Sequence, residues 1–97
     1  MASLSIDLGR GDLRPYFLWD EETTTAELRA HLNNSASPER FRLLAKMLRE
    51  ARDTDVWHFV SPGEVAEALP TIARYLGRRR KFWEFLISGW RADELLQ

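Results

Sequence analysis

The chain contains no cysteine and only two histidines among its 97 residues. Without cysteine it can form no disulfide, no thiol nucleophile and no cysteine-based zinc site. No segment approaches the roughly 18 consecutive apolar residues of a membrane-spanning helix. The N-terminus also lacks the basic start and long apolar run of a signal peptide. These absences predict a soluble, cytoplasmic protein.

The chain also lacks a strong charge of either sign. Its 14 Lys and Arg residues face 15 Asp and Glu residues, which gives a formal net charge of -1. Domains that bind nucleic acid over a large surface are normally strongly basic, so this balance argues against such binding. A length of 97 residues corresponds to one domain, which can bury roughly 65% of its unfolded surface and fold alone.

Recognisable catalytic motifs are absent as well. His31 and His58 have no second histidine or carboxylate at metal-ligand spacing on one helix face. The sequence has no nucleophile elbow and no calcium loop, and residues 9–11 (GRG) lack the lysine and hydroxyl of a phosphate loop. Asp53 and Asp55 fit helix capping better than metal binding. We therefore predict a non-enzymatic protein with no cofactor and no metal site.

The start of the chain predicts an irregular arm. Leu4, Ile6 and Leu8 alternate with polar residues, which favours a short strand, but two glycines follow and no second strand is evident. We expect residues 1–14 to form a mobile arm, or one that pairs with another molecule. Residues 15–97 are expected to form a single helical domain.

Residues 15–19, PYFLW, form the first aromatic segment. Pro15 is incompatible with a helix interior, so an extended segment or a single turn is expected. Its aromatic residues Tyr16, Phe17 and Trp19 would then pack on the helical core. The alternative is that they are exposed and anchor a partner protein.

Two helices are predicted in the first half of the chain. Residues 24–27 (TTAE) fit a capping box and begin a helix that ends at Asn33-Asn34. Residues 37–39 (SPE) begin the next helix, with Ser37 as its N-cap. The apolar stripe of this second helix consists of Phe41, Leu44, Ala45, Leu48 and Ala51. The two helices form an αα-hairpin.

Three more helical segments are predicted in the second half. Residues 56–60 (VWHFV) favour a short helical turn, with a strand as the alternative. Residues 61–64 (SPGE) begin a third long helix, which Pro70 should kink or split. Gly77 is a natural C-cap. The last helix should run from about Arg79 to Leu95 or Leu96.

The last helix has the widest apolar face of the chain. Its apolar residues span about 200° and are Phe82, Trp83, Phe85, Leu86, Ile87 and Trp90. A helix with so wide an apolar face is usually central to a small core. Gly89 lies in the same arc, where its missing side chain should let another helix approach closely.

These segments together predict an all-α protein with about four main helices and one short helix. The two Ser-Pro helix starts recur along the chain, as helix pairs do in HEAT-like solenoids. Two pairs do not establish a repeat, so a compact bundle and a short HEAT-like stack are both consistent with the pattern.

A basic corner precedes the last helix and is the strongest charge feature. It consists of Arg74, Arg78, Arg79, Arg80 and Lys81. The corner is suited to phosphate groups of nucleic acid or a nucleotide, or to an acidic protein partner. The alternative is a solvated turn, with a guanidinium such as that of Arg79 stacked on Phe82 or Trp83.

Three segments also resemble a known family. They are PYFLWD at residues 15–20, LLAKMLREARDTDVWHFVSPGEV at residues 43–65 and LGRRRKFWEFLISGW at residues 76–90. In these segments the chain resembles small bacterial helical proteins encoded beside nucleotidyltransferases of the AbiEii/AbiGii type. The resemblance covers roughly residues 14–96 and omits the arm. It implies an antitoxin-like partner in a two-gene module and assigns no functional residues.

The sequence thus predicts a non-enzymatic protein-interaction module whose partner is a nucleotidyltransferase encoded nearby. The predicted partner-binding residues are Arg74, Arg78, Arg79, Arg80, Lys81, Tyr16, Phe17 and Trp19. The cations would meet the clustered carboxylates that such a transferase needs for its metal ions. The alternative is a helical nucleic-acid-binding module that uses residues 74–81.

Overall fold

The computed structural model describes residues 3–92, which form five α-helices and two short strands. The helices are α1 Thr25–Leu32, α2 Arg40–Glu50, α3 Asp53–Val56, α4 Pro62–Ile72 and α5 Arg80–Ala92. Short 3-10 turns cover Tyr16–Leu18, Ala73–Tyr75 and Gly77–Arg79. The predicted set of four main helices and one short helix is confirmed. The predicted end of the last helix, Leu95 or Leu96, lies outside the described residues.

The fold is mostly helical, as predicted, but it also contains two short strands. β1 (Leu4–Ser5) pairs in parallel with β2 (Arg14–Pro15), and Leu4 lies opposite Arg14. The prediction that the first strand has no partner in the chain is therefore wrong. A strand of two residues is too short to show an alternating pattern, so nothing in the sequence distinguished β2 from a loop.

The segment between the two strands is attached to the helices through Arg29 of α1. One guanidinium nitrogen, Nη2, donates a hydrogen bond of 3.1 Å to the carbonyl oxygen of Leu8, whose side chain is buried. The other, Nη1, donates to the carbonyl oxygen of His58 at 2.8 Å. The guanidinium carbon also lies 4.6 Å from the centroid of the Phe59 ring. One side chain thus joins the N-terminal segment, α1 and the turn after α3.

The predicted capping box at Thr24 is present, and the predicted helix start at Ser61 forms a second one. The Thr24 hydroxyl accepts a hydrogen bond from the Glu27 backbone N–H at 3.2 Å, and the Glu27 carboxylate accepts one from the Thr24 N–H at 3.0 Å. Ser61 and Glu64 make the same reciprocal pair at the start of α4. Each pair satisfies two backbone donors that the first turn of a helix leaves without partners.

The start of α2 differs from the prediction. Its N-cap is Glu39, and Ser37 belongs to the turn before the helix. The Ser37 hydroxyl makes a hydrogen bond of 2.7 Å with Nδ1 of His31 and accepts one of 3.2 Å from the Glu39 backbone N–H. Since this hydroxyl closes a local turn and contacts α1, the helix begins at Arg40.

The second half of the chain largely follows the prediction. Of the segment 56–60, only Val56 belongs to α3, and residues 57–59 continue as hydrogen-bonded turns, so the segment is a turn and the strand alternative is wrong. α4 continues through Pro70 and ends two residues later, where the chain tightens into the 3-10 turn Ala73–Tyr75. Gly77 has a φ of 56°, a left-handed conformation that glycine adopts without strain. This glycine reverses the chain so that α5 returns along α4.

The core is built around α2, which contacts α1, α3, α4 and all three 3-10 turns. The largest fully buried side chains include Trp83, Phe17, Leu18, Leu28, Leu43, Leu44, Met47 and Leu48. Four of these residues belong to α2. Among residues 3–92, no helix combines the length and apolar character that crossing a bilayer requires.

Candidate functional site

Some cations of the basic corner are bound to other residues of the protein, and others are free. Arg79 is engaged: its Nη1 donates a hydrogen bond of 3.1 Å to the carbonyl oxygen of Ala51, at the end of α2. Its guanidinium carbon lies 5.1 Å from the centroid of Phe82 and 5.9 Å from that of Trp83. The predicted stacking of Arg79 on these rings is confirmed. This side chain therefore holds α5 against α2.

Arg78 and Lys81 are the free cations of the corner. Both are exposed, and their side chains make no hydrogen bond or ion pair with any residue in the range 3–92. Arg80 differs because it pairs with Glu84, one helical turn away, at 3.3 Å. Arg74 lies over the ring of Tyr75, 4.9 Å from its centroid, on another surface of the protein. The corner thus offers two unpaired cations next to the start of α5.

The aromatic face of α5 is only partly buried. Trp83 and Ile87 face the core, whereas the Phe85 side chain is 79% exposed and Phe82 is also exposed. Phe85 lies roughly 200° round the helix from Trp83, on the opposite side. The prediction that Phe85 belongs to the core is therefore wrong. We call the exposed side of the helix, formed by Lys81, Phe82, Phe85 and Gly89, the outer face of α5.

Gly89 extends this face without contacting another helix. No described atom outside its immediate neighbourhood lies within 4 Å of the place where its Cβ would be. The predicted close approach of a second helix at Gly89 does not occur within residues 3–92. Gly89 itself is partly buried, and the space beside it is unfilled by the described residues.

The three rings of the aromatic segment predicted to bind a partner differ in their exposure to solvent. Phe17 is buried in the core, so the prediction that it contacts a partner is wrong. Trp19 is 61% exposed. The hydroxyl of Tyr16 donates a hydrogen bond of 2.5 Å to Asp55 Oδ2 and accepts one of 2.9 Å from the Arg52 backbone N–H. Burial and the bond to Asp55 raise the pKa of Tyr16 above its ordinary value. Tyr16 therefore connects the segment to α3, and Trp19 alone is presented to solvent.

A groove of about 500 Å³ lies between α2 and the end of α4, and the sequence did not predict it. From α2 it is lined by Phe41, Arg42, Ala45, Lys46 and Arg49, and its opposite wall includes Arg74 and Tyr75. We call it the α2 groove. Phe41 is 44% exposed and Tyr75 51% exposed, so two rings are accessible there. The signal was present in the sequence, since the cations of α2 recur at helical spacing beside its apolar stripe.

Carboxylates outside the groove hold two of these cations in place. Glu21 pairs with Arg42 at 3.1 Å and with Lys46 at 2.9 Å. The bond from Arg42 keeps the pKa of Glu21 at about 2, although burial opposes this. Burial lowers the pKa of Lys46, but its bonds to Asp20 and Glu21 outweigh that effect and leave the pKa raised. Neither carboxylate lines the groove, so its surface is cationic and aromatic.

Metal-binding chemistry has no counterpart in the described part of the chain. Across residues 3–92, no group of three or more His, Asp and Glu side chains converges as a metal site would require. His31 makes its hydrogen bond with Ser37, and His58 is exposed. The predicted lack of enzymatic activity remains a prediction.

Comparisons with protein-family models, with curated proteins and with solved structures find no match to this chain. The resemblance stated for three of its segments therefore stays an expectation from sequence. The candidate surfaces are defined by their own geometry: the free cations beside the outer face of α5, and the cationic, aromatic α2 groove.

Proposed function

We propose that this protein is a non-enzymatic interaction module. It binds an acidic surface of a partner protein through Arg78, Lys81 and the outer face of α5. The observation that carries this proposal is the pairing of two unpaired cations with an aromatic side chain, Phe85, that is 79% exposed.

Exposure of this kind is unfavourable unless another surface covers it. A large aromatic side chain contributes most of its hydrophobic stabilisation only when it is removed from water. Aromatic and cationic residues are also the types that dominate binding energy at protein interfaces. Phe85 beside Lys81 supplies an apolar anchor next to a charge that selects an acidic surface.

The partner we propose is a nucleotidyltransferase of the type that the family resemblance implies. Such an enzyme carries clustered carboxylates for its metal ions, and these would complement Arg78 and Lys81. Binding there would restrain the enzyme, as expected of an antitoxin-like partner. This proposal rests on the sequence resemblance together with the charge of the basic corner.

A pull-down with the neighbouring gene product tests the proposal. Lys81→Glu should lower the affinity about tenfold or more, because it places like charges across the contact. Phe85→Ala should weaken binding as well, while circular dichroism stays unchanged because the side chain is exposed. Arg10→Glu is the matched control: it makes the same charge change at an exposed residue remote in sequence. Equal binding by the Lys81 variant and the wild type would sink the surface assignment.

The alternative function is binding of nucleic acid by residues 74–81. It is favoured by Arg78 and Lys81, which have no carboxylate partner within residues 3–92. Two phosphate contacts would make the logarithm of the affinity fall with the logarithm of salt concentration at a slope of about −2. A mobility shift with RNA and DNA at low and physiological salt measures this slope, and its absence would reject the alternative.

We favour the compact bundle over the HEAT-like stack as the finer architecture. In a stack, each helix pair contacts only its neighbours. Here α2 contacts α1, α3 and α4, which supports a bundle arranged around one central helix.

A further inference from the structure

The α2 groove has the size and lining of a small-molecule site. Its volume of about 500 Å³ lies within the roughly 300–1,000 Å³ typical of such sites. We propose that this groove binds an aromatic anion of the nucleotide class, a small molecule that carries a planar ring and one or two phosphate groups. This site is separate from the outer face of α5 and does not depend on the proposed partner.

The anionic end of the ligand binds Arg74 and Arg49. Arg74 has no ion pair with any residue of the described range, and its guanidinium is held 4.9 Å above the ring of Tyr75. Arg49 pairs with Glu50 through Nε at 3.0 Å and bonds the carbonyl oxygen of Tyr75 through Nη1 at 3.2 Å, which fixes its position and leaves its other Nη available. Guanidinium groups bind phosphate through paired, charge-assisted hydrogen bonds. No carboxylate is among the residues that line the groove.

The planar ring of the ligand packs against Phe41 and Tyr75. Both side chains line the groove, and each exposes about half of its surface to solvent. Stacking on an aromatic side chain favours the binding of a nucleotide base. Covering these two rings therefore supplies a favourable contact that the free protein lacks.

The remaining cations of the groove are already neutralised. Arg42 and Lys46 pair with Glu21 behind the groove, so their charges add little to the attraction of a further anion. Of the cations that line the groove, only Arg74 has no carboxylate partner within residues 3–92, and Arg49 adds a hydrogen-bond donor, which suits a ligand with one or two phosphates.

The dimensions of the groove favour a single small molecule over a polymer. Its wall on α2 extends from Phe41 to Arg49, and at a rise of 1.5 Å per residue this is about 12 Å. That length accommodates one ring and its phosphate group. A free nucleotide and a nucleotide at the end of a strand share this chemistry.

Titration of the full chain, followed by NMR, tests the proposal. The probes are AMP, GMP, CMP and UMP, with adenosine, inorganic phosphate and a short single-stranded RNA in separate arms. At least one nucleotide should bind with a Kd below about 1 mM, and adenosine and phosphate should each bind about tenfold more weakly. If the RNA binds as tightly as the free nucleotide, the natural ligand is the end of an RNA strand. If only the nucleotide binds, the natural ligand is the free nucleotide.

Substitutions of groove residues test whether the nucleotide binds in the α2 groove. Arg74→Gln should weaken nucleotide binding about tenfold, as expected from the loss of a charge-assisted hydrogen bond. Phe41→Ala should also weaken it, and a thermal melt shows whether this variant remains folded. Arg10→Gln is the control, because it removes an exposed cation outside the groove and should leave the Kd unchanged.

Two results would overturn the proposal. One is the absence of saturable binding by every nucleotide and by the RNA up to about 10 mM. The other is binding that survives both Arg74→Gln and Phe41→Ala in folded protein. Loss of partner binding in Lys81→Glu with intact nucleotide binding would separate this site from the outer face of α5.

Discussion

The indole Nε1 of Trp83 donates a hydrogen bond of 2.8 Å to the carbonyl oxygen of Leu48, in the last turn of α2. The last four carbonyl groups of a helix have no partner within it, so this bond satisfies an acceptor that burial would otherwise leave unpaired. Arg79 donates a second hydrogen bond to this end of the helix, to the carbonyl oxygen of the C-cap residue Ala51 at 3.1 Å. The first turn of α5 and the segment just before it therefore cap the end of the central helix.

Replacing Trp83 with Phe should destabilise the protein by about 2–3 kcal/mol. The substitution keeps an aromatic ring but leaves the buried carbonyl of Leu48 without a donor, and it opens a small cavity. Chemical denaturation measures the free energy of unfolding. Trp19→Phe, at a side chain that is 61% exposed, should change it by less than about 0.5 kcal/mol. Equal effects of the two substitutions would show that the Leu48 bond contributes nothing.

Arg79→Gln should lower the stability of the protein much more than Arg78→Gln, although the two residues are adjacent. The first loses the bond to Ala51 and the contacts with two aromatic rings, at an expected cost of about 1–2 kcal/mol. The second removes an exposed cation and should be almost neutral. Thermal melts of both variants provide the comparison, and similar melting temperatures would contradict the capping role of Arg79.

Glu21 should make stability depend on acidic pH. Its pKa in the folded protein is about 2, against an ordinary value of 4.5, because Arg42 binds both carboxylate oxygens. A lowered pKa stabilises the folded state above about pH 4.5, and this stabilisation is lost as the pH falls towards 2. Glu21→Gln should therefore cost on the order of 2 kcal/mol at pH 7, after allowance for solvent screening.

Urea unfolding at pH 7 and pH 3 tests this expectation. The difference in unfolding free energy between wild type and Glu21→Gln should shrink at pH 3, where the unfolded carboxyl is protonated. Glu22→Gln is the matched control, since Glu22 is exposed and forms no ion pair within residues 3–92. A difference that stays constant with pH would exclude Glu21 as the titrating group.

Tyr16→Phe should destabilise the protein by about 1–2 kcal/mol. It removes the hydroxyl that bonds both Asp55 and the Arg52 backbone N–H, and therefore loosens the attachment of the aromatic segment to α3. Tyr75→Phe serves for comparison, because the Tyr75 hydroxyl makes no hydrogen bond with the described residues and half of the side chain is exposed. An unchanged denaturation midpoint for Tyr16→Phe would contradict the role of the hydroxyl.

Local signals in the sequence predicted the helices well. Thr24 and Ser61 begin helices because their side chains bond backbone groups only three residues away, an interaction that neighbouring residues determine. The left-handed conformation of Gly77 is also predictable from a local signal, the residue type itself. Ser37 shows the limit of such signals, since its hydroxyl bonds His31 of α1 and the predicted cap is lost.

Features that depend on distant residues were missed or misplaced. Phe85 has the residue type of a core position, and only the direction in which α5 packs shows that it faces solvent. The α2 groove exists because the end of α4 lies beside α2, and no pattern within either helix encodes that distance. Arg79 and Arg78 look equivalent in sequence, and the carbonyl of Ala51 makes them different.

The capping of α2 by residues near the end of the chain has a consequence for synthesis. The bonds that complete the helix link residues 35 and 28 positions apart, from Leu48 to Trp83 and from Ala51 to Arg79. When α2 is synthesised, its donors have not yet been translated. A nascent chain that stops before residue 79 should therefore remain sensitive to protease at the end of α2. The end of the central helix is therefore completed only after the start of α5 is available, even though α2 is among the first parts to be made.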